Sequence, residues 1–162
     1  MSRAILATSA NFRVEHEWED VFLVVTSSEK VTQIGDFYGD PECAVIDSTE
    51  QWVAVGGHGL MVCNLDYNSK SKYIVTRTRI FGQEQDDSWW IESMEQTGVR
   101  TLRIVVRGSN RRDGHYEFDL EEMRPTEIKP MQGEQAVTPY PIALVGNSLT
   151  GNMGVIEVVK VR

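Results

Sequence analysis

The chain has few of the residues that staple small folds or break strands. In 162 residues it carries two cysteines, five prolines and three histidines. Two thiols, Cys43 and Cys63, cannot form a disulfide scaffold, and each lies inside a run that reads as strand, where a reduced thiol behaves as a small hydrophobe. No run approaches the ~20 apolar residues of a membrane-spanning helix. The opening Met1-Ser2-Arg3-Ala4-Ile5-Leu6-Ala7 breaks at Thr8-Ser9, too early for the apolar core of a secretory leader. These absences predict a cytoplasmic chain with no membrane association. Positive charge is also scarce: 16 Lys and Arg against 24 Asp and Glu leave a net charge of -8. That balance argues against nucleic acid as partner, because phosphate neutralisation supplies most non-specific affinity there.

Catalytic signatures are missing as well. The chain contains no G-x-x-x-x-G-K-[ST] loop, no G-x-G-x-x-G opening a helix and no G-x-S-x-G elbow. His16, His58 and His115, with the two cysteines, match no short-spacing zinc pattern, and the H-x-H-x-E cluster of cupin-type barrels is absent. The expectation is therefore no metal, no cofactor and no catalytic residue. Convergent carboxylates and histidines brought together by folding, in a small-molecule-binding barrel or sandwich enzyme, are the alternative, and a β-rich assembly protein that oligomerises through strand edges is a third.

What the chain does have is period-2 alternation. Phe12, Val14, His16 and Trp18 fall on one side of a strand and Arg13, Glu15, Glu17 and Glu19 on the other. After Asp20, Val21-Phe22-Leu23-Val24-Val25 is apolar on both sides, as in a strand covered on two faces. Further strands are expected at 43–46, 51–55, 60–65, 72–81, 99–107, 115–120 and 155–161, each rich in Val, Ile, Thr or aromatics and bounded by turn-forming residues. Gly56-Gly57-His58-Gly59 predicts a hairpin turn. A second hairpin is expected across Gly108–Gly114, with Val106 opposite Tyr116, Ile104 opposite Phe118, Leu102 opposite Leu120 and Arg103 opposite Asp119. The stretch 85–98 has acidic residues where a helix would start and Gly98 where one would stop, but it also alternates as a strand does, and its strand neighbours favour that reading. Residues 121–131 have room for one helical turn between prolines, 131–140 read as loop and 147–154 as a turn region. The fold class that follows is all-β: antiparallel sheets forming a sandwich, an open barrel or a propeller-like array, with at most one short helix, in a single domain over 1–162.

Charge is unevenly spread. Residues 1–60 hold ten acids and three bases, whereas 61–162 are nearly balanced. Glu15, Glu17, Glu19, Asp20, Asp36, Asp40 and Glu42 form an acidic set that reads either as solvated surface or as a docking surface for a basic protein. Trp18, Phe37, Tyr38 and Trp89 are candidate aromatic anchors beside it. A smaller basic set, Arg77, Arg79, Arg107, Arg111 and Arg112, could hold an anion.

Asp40-Pro41-Glu42-Cys43-Ala44-Val45-Ile46, followed by Trp52-Val53-Ala54-Val55-Gly56-Gly57-His58-Gly59-Leu60, resembles segments of small bacterial immunity proteins from contact-dependent or polymorphic toxin systems. The likeness lies within residues 40–65 and consists of turn glycines and strand apolars. It implies a non-catalytic cytoplasmic protein that binds and neutralises a cognate toxin, with a basic toxin domain as partner. No contact residues carry over, because such families share scaffolds more than contacts.

Overall fold

The computed structural model describes residues 3–66, 74–83, 88–108 and 112–128, all within one compact unit, Met1–Pro130. The loop, turn and strand expected at 131–140, 147–154 and 155–161 lie outside the described residues, as does Arg111.

The architecture is all-β, with no helix among the described residues. Among the described residues, twelve strands form three antiparallel sheets of four, each a meander in chain order. The first contains β1 (Ala4–Thr8), β2 (Phe12–Glu17), β3 (Asp20–Val25) and β4 (Lys30–Asp36). The second contains β5 (Cys43–Ile46), β6 (Trp52–Gly57), β7 (Gly59–Asp66) and β8 (Ile74–Phe81). The third contains β9 (Ile91–Gly98), β10 (Thr101–Val106), β11 (Gly114–Asp119) and β12 (Arg124–Glu127). None closes into a barrel. The sheets stack as layers, with β1 against β5, β5 against β9 and β4 against β8, as in an all-β sandwich.

The central layer explains why its sequence is apolar without interruption. Val53, Val55, Met61, Cys63 and Leu65 face the first sheet, where they meet Phe12, Val14, Val21, Leu23 and Ile34. Trp52, Ala54, Leu60 and Val62 face the third sheet and meet Ile91, Leu102, Ile104, Val106 and Phe118. Each of these side chains is nearly or fully removed from water. Burial of a Val, Leu or Ile stabilises by roughly 1.5–3 kcal/mol, so these two back-to-back cores are the main source of the fold's stability.

Several expectations need correction. The Gly108–Gly114 hairpin forms, but two residues out from the expected register. Val106 pairs with Gly114, Ile104 with Tyr116, Leu102 with Phe118, and Arg103 with Glu117 rather than Asp119. A two-residue slip keeps every side chain on its face, so alternation cannot exclude it. The strand beginning at Phe12 stops at Glu17, because Trp18 and Glu19 turn the chain back into β3. Residues 121–131 hold no helix among those described; they give a turn and then β12, where Pro125 sits in an edge strand that has no need of its missing N–H. The stretch 91–98 is strand β9, as its strand neighbours favour.

The glycine turn also divides differently. Gly56 and Gly57 belong to β6, and only Gly59 takes a positive φ, 96°. A Cβ there would lie 2.7 Å from the Phe81 carbonyl oxygen, so both conformation and space demand glycine.

Candidate protein-docking face

Because each sheet is an up-and-down meander, its strand ends gather in two sets. The upper end collects the β2–β3 turn, the segment after β4, the β6–β7 turn at His58, and the residues flanking β9 and β10. Backbone hydrogen bonds tie these pieces within each sheet and, at His58 and Gly59, between the second and third sheets. Phe37 N–H donates to Glu19 O at 3.0 Å, Glu42 N–H to Gly56 O at 2.8 Å, and Gly59 N–H to Trp89 O at 2.6 Å. Arg107 N–H reaches Trp90 O at 3.0 Å, and His58 and Trp90 form an isolated antiparallel bridge.

Six of the seven acidic residues singled out above meet at this end. Glu17 pairs with Asp20 across the turn, and Asp20 pairs with Asp36 on the other side. A Glu19 carboxylate oxygen accepts the Gly39 N–H at 3.0 Å, and Asp20 accepts from Gln33 Nε2 at 2.8 Å. Asp36, Asp40 and Glu42 are exposed. Among the described residues, none of the six has a cation within ion-pair distance. Glu15 does not belong with them. It is buried, with its carboxylate 2.9 Å from Arg13 Nε and 3.8 Å from Arg3 Nη1. Arg13 continues to Glu29 at 2.9 Å, and that hydrogen-bonded pairing lowers the Glu29 carboxyl below its usual range.

The four aromatic candidates separate cleanly. Trp18 and Tyr38 are 72% and 76% exposed, whereas Phe37 and Trp89 are core residues at 4% and 3%. Trp18 also has φ 55°, a left-handed conformation uncommon for an aromatic residue. It presents its ring to solvent from the turn rather than lying with Phe12 and Val14. His16 Nδ1 lies 3.1 Å from the Trp18 carbonyl oxygen.

Alternation and charge did not reveal a third group. Tyr38, His58 and Trp90 come from three separate connections, with ring centroids 5.6 Å apart for Tyr38–His58 and 5.0 Å for His58–Trp90. They line a recess of about 490 Å³ together with Gln83 and Ser88. A second recess of about 480 Å³ shares Trp90 and is lined by Glu42, Ile91, Glu92, Arg107 and Gly108. The only sequence signal was the Trp89-Trp90 pair at the start of a strand: alternation buries one and turns the other outward. Nothing in the sequence places Tyr38 beside it.

The basic set is largely committed to the fold. Arg79 donates to the Leu120 and Glu121 carbonyls, Arg107 pairs with Glu92 at 2.6 Å, and Arg112 lies over the Trp89 ring at 4.9 Å. Arg77 is exposed on β8. The three histidines are dispersed over β2, the β6–β7 turn and β11, and no group of three or more His, Cys, Asp or Glu among the described residues could hold a metal ion. Both cysteines are free, and burial pushes the Cys43 thiol up to about 12 and raises that of Cys63.

An acidic, partly aromatic surface of this kind can attract and orient a basic macromolecule. Compared with protein-family models, curated proteins and solved structures, the chain matches none of them.

Proposed function

We propose that the protein is a non-catalytic protein-binding module, an immunity protein that docks a basic toxin domain against its upper end and blocks it. The observation that carries this reading is the convergence there of Glu17, Glu19, Asp20, Asp36, Asp40 and Glu42 beside the exposed Trp18 and Tyr38. Opposed potentials accelerate encounter and select the partner, while desolvated aromatics supply most of the affinity in protein interfaces. The likeness of residues 40–65 to immunity proteins points the same way, since those residues supply part of this end.

The test uses the polypeptide encoded beside this gene in its native genome. Expressed alone it should arrest growth, and co-expression of this chain should restore it. The triple variant Glu17→Lys/Glu19→Lys/Asp40→Lys should weaken binding on the order of tenfold or more at low salt and flatten its salt dependence. A variant that protects and binds as the parent does would remove this surface from the reading.

A further inference from the structure

The recess between Tyr38, His58 and Trp90 contains two polar atoms that the fold leaves without partners. His58 Nδ1 and Gln83 Nε2 are buried, and neither makes a hydrogen bond. Buried polar atoms are seldom left unsatisfied, so two in one small recess mark a place where a ligand would find partners. Both residues line the recess, with Ser88 beside them and the rings of Tyr38 and Trp90 as walls.

We propose that this recess receives an arginine side chain of the docked protein, an inference that rests on the docking reading above. Three features select arginine. Aromatic faces attract a cation, and the planar guanidinium stacks on them while a lysine ammonium cannot. The guanidinium has donors only, which suits an unpartnered imidazole nitrogen; the Gln83 amide turns its oxygen inward by a half-rotation and becomes a second acceptor. The carboxylates of Asp40 and Glu42 stand in the segment that carries Tyr38, so the approach is negative, which disfavours phosphates and carboxylates. At about 490 Å³ the recess is within the ordinary range for side-chain-sized and small-molecule ligands.

The experiment titrates the whole chain with N-acetyl-arginine methylamide, with the citrulline and lysine analogues as controls. Intrinsic tryptophan fluorescence and the imidazole NMR signals of His58 report binding. Saturable binding of the arginine probe is expected, with little for neutral citrulline and less for lysine. Tyr38→Ala removes an exposed wall without touching the core and should weaken the probe about 3- to 30-fold, the range of one cation–π contact. His58→Phe keeps a ring but removes the acceptor and should weaken it again. No saturable binding, or equal binding of citrulline or lysine, overturns the assignment. The two readings fail separately. A chain that protects against its partner but ignores the arginine probe overturns the recess alone. A chain that binds the probe but shows no charge-dependent protection overturns the docking face.

Discussion

Replacing Asp47 tests how the layers are held together. This residue lies in the turn between β5 and β6, is 3% exposed, and has no cation beside it. One carboxylate oxygen accepts the Thr49 hydroxyl and the Gln51 N–H, the latter at 3.1 Å; the other accepts Gln96 Nε2 of the third sheet at 2.7 Å. Gln96 in turn donates to Gly98 O at 3.0 Å and accepts the Ser48 N–H at 3.1 Å, so one carboxylate links two sheets. Burial pushes the Asp47 carboxyl up, but the hydrogen bonds from Thr49, Gln96 and the backbone outweigh it and hold it below the usual carboxylate range. A hydrogen bond to a charged group contributes about 1.5–3 kcal/mol, and three that share one carboxylate do not add in full. Asp47→Ala also leaves one of the two Gln96 amide N–H groups and the Gln51 N–H without an acceptor, so a loss of about 3–5 kcal/mol is expected in urea unfolding. Asp47→Asn, which keeps one acceptor oxygen, should lose about half of that. A depressed carboxyl stabilises fully above its unfolded value near 4 and loses that contribution as pH falls through the lower, folded value. The wild-type stability curve should therefore fall more steeply than that of Asp47→Asn below about pH 4. A loss under about 1 kcal/mol for the alanine variant, or parallel pH curves for wild type and the asparagine variant, would refute the reasoning.

Gly56→Ala should destabilise by about 1–3 kcal/mol through overpacking. Its Cβ would lie 2.6 Å from Met94 Cε, 2.8 Å from Ile91 Cγ2 and 3.0 Å from Cys43 Sγ, and only the methionine end can swing away; an unchanged denaturation midpoint would show that β9 yields more easily than this packing allows. Cys43, with its thiol pushed to about 12 chiefly by burial, and Cys63, fully buried, should resist a disulfide reagent at pH 8 until the chain unfolds. Labelling of either thiol faster than unfolding would contradict their placement.

The sequence revealed the strands whose faces are both buried, and missed three of the six edge strands among the described residues. β6 and β7 were plain because the two cores they divide require an apolar side chain at nearly every position. β1, β4 and β12 went unseen, and each is an edge: in β4 only Ile34 is buried, so its alternation carries almost no signal. The threefold meander was equally hidden. Its repeat lies in strand order, while the matching connections differ in length, from the single residue His58 to the loop between Val106 and Gly114. The acidic end was legible as composition but not in detail. Glu15 shares a strand face with Glu17 by alternation, yet it is taken up by Arg13 and Arg3. The aromatic recess could not be read at all, because its three rings come from connections far apart in sequence.

The distribution of strain bears on where function lies. Of the ten acids in the first 60 residues, Glu15 and Glu29 are paired with Arg13, and Asp47 and Glu50 are tied by hydrogen bonds at the lower end, Glu50 accepting from Ser9 and Asn11 at 2.6 to 2.9 Å. The acids of residues 1–60 outside the upper end are thus all partnered. The upper end does the reverse: it sets Asp20 opposite Asp36, a like-charge pairing that disfavours the sheet, and keeps Trp18 in a left-handed conformation with its ring in water. It also leaves His58 Nδ1 and Gln83 Nε2 unpartnered. Each departure opposes folding, and ordinary substitution at any of these positions would relieve it. Positive φ by itself does not set the ends apart, since Glu29, Glu50 and Met123 adopt it in the lower turns; unpaired acids beside exposed aromatics do, and these are features that a partner complements. On that argument a complex should relieve all three together, covering Trp18, neutralising Asp20 and Asp36, and giving His58 a hydrogen bond; a partner that occupies the lower end would leave every one of them unexplained.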